Sequence, residues 1–243
     1  MDRTIGPSLV GSGLLGIGFL SLDTFVPLYV QGGRGGGVGA AASVVTPVML
    51  TWAISGVFSA PLIVRWGFRR VSGIGSMLVI VGFSGMILCA LTGAPRSVLA
   101  CVLAITGFGF GPASMGFLLA AQNAVKFQQR GIVTSSIAFF RTAGGAIGIG
   151  LLGALFNMLA GPKLHSIAAG GFSPASLLDP HTRANLPPAV LRTAGDAIAG
   201  ALHWVFIVML IVAVVQLFVA ALMPKQKADH AITTLEAAEA LAG

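Results

Sequence analysis

The sequence predicts an all-α membrane protein with six transmembrane helices. Hydrophobic residues make up 56% of its 243 residues, charged residues make up 9%, and the mean hydropathy is +0.93. A soluble domain carries roughly 25% charged residues, and a bilayer core of about 30 Å is crossed by about 20 apolar helical residues. Apolar stretches of that length follow one another along the chain, at about 7–30, 40–64, 71–92, 98–122, 132–159 and 201–223.

The Lys and Arg residues between these stretches predict an orientation. An even number of spans places both termini on one side of the membrane. The short basic connections Arg65–Arg70 and Lys126–Arg130 mark the cytoplasmic side under the positive-inside rule, in which long loops count less. We therefore expect both termini to be cytoplasmic, in the inner (plasma) membrane of the cell.

Two further segments complete the predicted organisation of the chain. Residues 160–200 are expected to form a long external loop, and residues 224–243 a cytoplasmic tail. Within that loop, Pro188 is well placed to begin a helix that runs directly into the last span.

Several functional classes are disfavoured. The net charge of +7 does not indicate nucleic-acid binding, because the basic residues cluster at span ends. The string Gly11–Gly16 matches the dinucleotide motif GxGxxG, but it lies inside a span instead of following a strand. Cys89 and Cys101 are interpreted as small apolar residues, with a disulfide as the alternative. The sequence contains no residues at catalytic or metal-ligand spacing, so we expect that the protein is not an enzyme and binds neither a cofactor nor a metal.

Polar residues are distributed unevenly among the spans. Span three offers only serines, and span six only Gln216 after His203 at its start, whereas spans one, two, four and five carry the others. Because a polar group facing lipid is costly, four helices are predicted to line a cavity and two to face lipid. The candidate residues of a substrate or proton pathway are Asp23, Gln31, Thr46, Trp52, Gln122, Asn123 and Arg141.

Two charged residues inside the spans each leave two interpretations open. Asp23 is the only acid within a span, and desolvation would make it a candidate proton carrier. Alternatively it is an interfacial acid that bonds to Thr24 or to backbone freed around Pro27. Arg141, the only base well inside a span, either points inward as a counter-charge or extends to the cytoplasmic surface.

Small residues recur at the spacing that lets helices approach closely. Gly107 with Gly111, and Gly144 with Gly148, form GxxxG pairs that predict either static packing or a surface used in gating. Pro112 follows Gly111 directly and favours a kink.

The order of several motifs carries a resemblance to a known family. These motifs are Pro27–Gln31, Ala60–Arg70, Gly107–Pro112, Gln122–Asn123, Arg130–Ser136 and Phe139–Gly148. Together they resemble the C-terminal half of a major facilitator superfamily transporter, in the branch of 14-helix drug:proton antiporters. The resemblance covers about residues 7–223.

The resemblance implies two inverted three-helix repeats, substrate bound near the midplane and rocking of two transporter halves. It also implies a cytoplasmic loop motif at Arg65, Gly67, Arg69 and Arg70, although the family's acid is replaced by Val64. The family's Gly-Pro antiporter motif belongs to another helix, so its role is not transferred to Gly111 and Pro112.

The predicted function is that of one component of a proton-coupled multidrug or metabolite efflux transporter. Its partners would be the lipid bilayer, small amphipathic substrates, protons, and an N-terminal half or a second copy. The alternative is a membrane subunit, or a truncated remnant, without transport activity of its own. A membrane enzyme is a weaker third hypothesis.

Overall fold

The computed structural model describes residues 4–169 and 187–224. Six long helices fill these ranges: α1 (Ile5–Leu28), α2 (Val38–Trp66), α3 (Phe68–Thr92), α4 (Arg96–Asn123), α5 (Arg130–Ala169) and α6 (Pro188–Leu222). A π-helical turn, Tyr29–Gly33, extends α1. All six helices are long and apolar enough to cross a membrane, and the described residues contain no strand. The predicted fold class is confirmed.

Glycine and proline set several helix boundaries. Gly67, with φ of 81°, makes the tight turn between α2 and α3, a conformation that a side chain would strain. Gly93 ends α3 in the left-handed conformation, with φ of 64°, as glycine commonly does at helix C-termini. Pro188 is the first residue of α6, which agrees with its predicted role as a helix start.

The helices on either side of the predicted long loop extend into it. Helix α5 continues to Ala169 and α6 begins at Pro188, so helix occupies both described ends of the segment 160–200. An apolar run measures only the part of a helix within the hydrocarbon core, whereas the internal backbone hydrogen bonds allow the helix to continue into water. Residues 170–186 of this loop, and the predicted tail apart from Pro224, lie outside the described residues.

Helix contacts follow the symmetry of two three-helix repeats. Helix α1 packs along α5, and α4 packs along α2; α3 contacts α4, and α6 contacts α1. When α1, α2 and α3 are exchanged with α4, α5 and α6 respectively, the α1–α5 contact becomes the α2–α4 contact, and the α3–α4 contact becomes the α1–α6 contact. The same exchange leaves the α3–α6 and α1–α4 contacts unchanged. Because each repeat has three spans, the second repeat runs through the membrane inverted relative to the first.

Glycines bring the paired helices into backbone contact. A Cβ atom added at Gly107 would overlap the Val48 backbone of α2, and one added at Gly144 would overlap the Gly13 backbone of α1. The partners of Gly111 are Ser55 and Gly56, and the partner of Gly148 is Ile17. These four glycines therefore lie at the α2–α4 and α1–α5 interfaces.

Other residues singled out in the sequence have structural positions of their own. Gly16, in the dinucleotide-like string, lies against the Arg141 backbone carbonyl, so close helix packing accounts for a glycine of that string. Pro112 is buried, and α4 continues through it. Cys89 is buried, Cys101 is exposed, and both are free.

Candidate functional site

A cavity of about 370 Å³ lies between four helices. Its lining comprises Ser12 and Leu15 of α1; Trp52, Ala53, Gly56 and Val57 of α2; Ser114, Met115 and Leu118 of α4; and Thr134, Ile137, Ala138 and Arg141 of α5. Within the part of the chain that the structure describes, α3 and α6 contribute nothing to this wall. The lining helices are therefore the four that the distribution of polar residues predicts.

Arg141 carries the one charged side chain in the described cavity wall. It lies eleven residues after Arg130, where α5 begins, which corresponds to roughly 16 Å along the helix. That distance is about half of a hydrocarbon core of about 30 Å. Among the described residues, no acidic side chain forms an ion pair with Arg141. A half-buried cation at this depth is suited to receive an anionic group.

An aromatic cluster adjoins the cavity. The Phe19 ring of α1 lies 4.6 Å from the Trp52 ring and 5.3 Å from the Phe110 ring, measured between centroids. Trp52 belongs to the cavity wall, and Phe19 follows the lining residue Leu15 by one helical turn. The cluster therefore places a packed aromatic surface beside a cavity whose other wall residues are mostly aliphatic, with a few hydroxyl groups and Arg141, as is common for small-molecule sites.

A hydrogen bond connects α4 and α5 beside the cavity. Gln122 Nε2 donates to the Thr134 hydroxyl at 2.8 Å, and that hydroxyl donates to the Arg130 carbonyl at 2.8 Å. Thr134 lines the cavity, whereas Gln122 supports it from the neighbouring helix. Asn123, the last residue of α4, is half-buried and does not line the cavity.

Asp23 lies on the same face of α1 as the cavity wall but outside the cavity. It follows Phe19 by four residues and Leu15 by eight, a spacing that keeps side chains on one helix face. Its side chain is exposed and pairs with no other residue in the described ranges. The Thr24 hydroxyl donates to the Leu20 carbonyl at 2.9 Å instead of to Asp23.

The remaining pathway candidates lie away from the cavity. Gln31 is half-buried in the π-helical turn. Thr46 is exposed on α2, and its hydroxyl donates to the Ala42 carbonyl at 2.8 Å. The structure thus places Trp52 and Arg141 in the cavity wall and Gln122 beside it.

The pathway candidates predicted from the sequence include none of the three hydroxyl residues of the wall, Ser12, Ser114 and Thr134. Ser12 lies inside the dinucleotide-like string Gly11–Gly16, in which the glycines form the recognisable pattern. Thr134 precedes Ile137 by three residues and Arg141 by seven, a spacing that places all three on one face of α5. Helical spacing from Arg141 could therefore have identified Thr134 in the sequence.

The predicted loop motif spans the turn between α2 and α3, with Arg65 in the last turn of α2 and with Arg69 and Arg70 in the first turn of α3. Arg65 and Arg70 are exposed and Arg69 is half-buried. Gly67 makes the turn itself. None of these three arginines forms an ion pair within the described residues.

Comparisons with known proteins agree with this architecture. The Multidrug transporter protein MdtP of Bacillus subtilis is 31% identical over 151 residues, covering 62% of this chain and 28% of that protein. Multidrug resistance protein 3 of the same organism is 26% identical over 224 residues, covering 86% of this chain and 43% of that protein. The matched part of the chain thus spans less than half the length of either relative.

A solved structure shows the same fold. The fucose:proton symporter FucP of E. coli superimposes with a TM-score of 0.71 at 11% identity, over 93% of this chain and 50% of that protein. The family model of the Major Facilitator Superfamily matches residues 4–149, more than half of the chain. The chain therefore belongs to the Major Facilitator Superfamily.

Proposed function

We propose that this chain forms one half of an efflux transporter that exchanges small amphipathic molecules for protons by alternating access. The observation that carries the proposal is the cavity bounded by α1, α2, α4 and α5, with Arg141 in its wall. The names of the two Bacillus relatives support multidrug substrates. We also propose that the chain corresponds to the C-terminal half in the 14-helix antiporter branch, with both termini in the cytoplasm of the cell.

The chemistry of the wall suggests which ligands would bind. Aliphatic side chains and Trp52 form most of the surface, while Ser12, Ser114 and Thr134 supply hydroxyl groups. An amphipathic molecule would bury its apolar body against this wall and direct one polar group toward Arg141. In our proposal, Arg141 is the counter-charge either for that group or for an acid on the opposing half.

Proton coupling is proposed to involve Asp23. It is the only acid in the predicted spans, and it lies one helical turn beyond Phe19 on the face of α1 that contributes to the cavity. Once an opposing half covers that face, Asp23 would be enclosed between the two halves. A proton bound in one orientation of the halves and released in the other would then drive exchange.

A complementary half, or a second copy of this chain, is proposed to close the cavity. Large apolar side chains near the wall are exposed: Val57 by 75%, Phe58 by 62% and Phe139 by 67%. A partner surface would bury them and supply the opposite wall. Rocking of the two halves around the cavity would then give alternating access.

Transport of a fluorescent amphipathic dye tests the proposal. The chain is reconstituted in vesicles, with and without a co-expressed N-terminal half from a relative, and an imposed proton gradient drives dye movement. Trp52→Ala is expected to reduce dye transport strongly, whereas Trp204→Ala is expected to leave it unchanged, because Trp204 is 55% exposed on α6 and outside the cavity.

Arg141→Gln is expected to reduce dye transport strongly, whereas its control Arg96→Gln, at the start of α4 and outside the cavity, is expected to leave dye transport unchanged. Asp23→Asn is assayed for loss of proton coupling. Equal effects of the two tryptophan variants would contradict the assignment of the cavity as the substrate site. Proton coupling that survives Asp23→Asn would remove Asp23 as the carrier. Absence of transport with every partner would favour a non-transporting membrane subunit.

A further inference from the structure

A second groove lies on the outer surface of the bundle, between the start of α3 and the end of α6. Its volume is about 400 Å³. Arg69 and Arg70 lie at one end, level with Ala221 near the end of α6, and Met77 and Leu217 form apolar walls further along. Because α3 and α6 take no part in the described wall of the central cavity, this groove is a separate feature of the molecule.

One position of α3 that lines the groove lacks a side chain. A Cβ atom added at Gly73, which lines the groove, would have nothing within 4 Å. Two residues later, a Cβ atom at Gly75 would lie 2.5 Å from the Ala113 backbone nitrogen of α4. Gly75 therefore permits helix packing, whereas the missing side chain at Gly73 leaves open volume on the outer surface.

A hydrogen bond between the two helices holds the groove in shape. Gln216 Nε2 donates to the Ser76 hydroxyl at 3.2 Å, and both residues are buried. Gln216 directly precedes the wall residue Leu217, and Ser76 directly precedes Met77. The spacing between α3 and α6 is thus set behind the groove, so a ligand would enter a preformed site.

The groove changes from charged to apolar along the helix axis. Arg69 and Arg70 lie in the first turn of α3, while Gly73 and Met77 lie about one and two turns deeper. Trp66, exposed by 49%, stands at the same end as the arginines, and tryptophan favours the membrane–water interface. Neither arginine forms an ion pair within the described residues, so both guanidinium groups are available to an anion.

We propose that this groove binds one anionic phospholipid. The phosphate group would pair with Arg69 and Arg70, since guanidinium groups bind phosphate oxygens in a bidentate manner. One acyl chain would lie over Gly73 between Met77 and Leu217. Basic pockets between helices at a membrane surface bind lipid head groups in this way. The proposal does not depend on transport activity.

The test measures lipids that remain bound to the purified chain. The protein is reconstituted in vesicles of phosphatidylcholine and phosphatidylglycerol, re-extracted in detergent, and examined by native mass spectrometry. The wild type is expected to retain phosphatidylglycerol in preference to phosphatidylcholine. The double variant Arg69→Gln/Arg70→Gln is expected to bind phosphatidylglycerol about ten- to thirty-fold more weakly.

Two further variants separate a defined site from general surface charge. Arg65→Gln removes one positive charge, half of what the double variant removes, from the last turn of α2 outside the groove, and should leave retention unchanged. Gly73→Leu keeps both arginines and fills the groove without meeting another atom at its Cβ, and should abolish retention. Thermal unfolding of each variant checks that the bundle is intact.

Three outcomes would overturn the proposal. A loss of about three- to five-fold in Arg65→Gln, which is the share of one charge in the effect of the double variant, would show diffuse electrostatic attraction. Full retention in Gly73→Leu would show that no acyl chain occupies the groove. Failure of the wild type to retain phosphatidylglycerol, together with inorganic phosphate binding that is lost in the double variant, would show a free-anion site.

Discussion

The contact between α1 and α5 predicts a specific cost for one methyl group. In Gly144→Ala, the added carbon would lie 2.8 Å from the Gly13 carbonyl carbon and 2.9 Å from its Cα, whereas ordinary contacts are 3.4–4 Å. These neighbours are backbone atoms, which cannot rotate away as a flexible side chain can. Relief therefore requires the two helices to separate by at least about 0.6 Å, since repulsion rises steeply below the contact distance.

Overpacking of this kind typically costs about 1–3 kcal/mol. Gly150→Ala is the matched control: it adds the same methyl group to the same helix, where nothing lies within 4 Å. We expect the free energy of unfolding to fall by about 1–3 kcal/mol in Gly144→Ala relative to Gly150→Ala. Circular dichroism during SDS-driven unfolding in mixed micelles measures both variants.

Gly144→Ala should also disturb the cavity, because Gly144 follows Arg141 by three residues on α5. Dye binding should therefore weaken in Gly144→Ala and stay unchanged in Gly150→Ala. If the two variants unfolded at the same SDS concentration, the close backbone contact between α1 and α5 would be refuted.

Three further substitutions test individual contacts. Gln216→Leu should lower the free energy of unfolding by about 0.6 kcal/mol, and by no more than about 1.7 kcal/mol. A double-mutant cycle with Ser76→Ala measures the coupling between the two residues, and strictly additive effects would contradict the α3–α6 hydrogen bond. Arg34→Ala removes a donor to the Gly93 carbonyl at the end of α3. The loss should lower the free energy of unfolding by about 0.3–1 kcal/mol and speed amide hydrogen exchange in the last turn of α3. Unchanged exchange rates would argue against this capping contact. Thr134→Val removes the hydrogen bond between α4 and α5 and should cost about 1 kcal/mol, while Thr134→Ser retains stability. A loss in Thr134→Ser without a loss in Thr134→Val would point to the methyl group instead.

Much of the architecture could be predicted because the relevant signals are local. The length of each apolar run is set by bilayer thickness, so the runs predicted the helix count without knowledge of their neighbours. The scarcity of polar groups in spans three and six likewise predicted which helices line the cavity. Helix ends such as that of α5 were predicted less well, since a helix does not have to stop where its apolar run stops.

Individual site residues were predicted less well than helices. Trp52 and Arg141 line the cavity as their polarity suggested, but Thr46 is turned outward and Ser12 is turned inward. Each residue turns the helix by about 100°, so the facing of a side chain depends on the rotation of its whole helix. That rotation is set by contacts with other helices, which a single sequence does not reveal.

By itself, the sequence determined that the described part of this chain forms six helices long and apolar enough to cross a membrane, and that four of them carry most of the polar groups. The tertiary structure alone decided which glycines meet which backbones. It also decided that Gln216 bonds to Ser76, 140 residues away in sequence, and that Arg69 and Arg70 lie at the end of a groove completed by α6. The physical reason is that hydrophobicity acts on each segment separately, whereas packing depends on atoms brought together from distant parts of the chain.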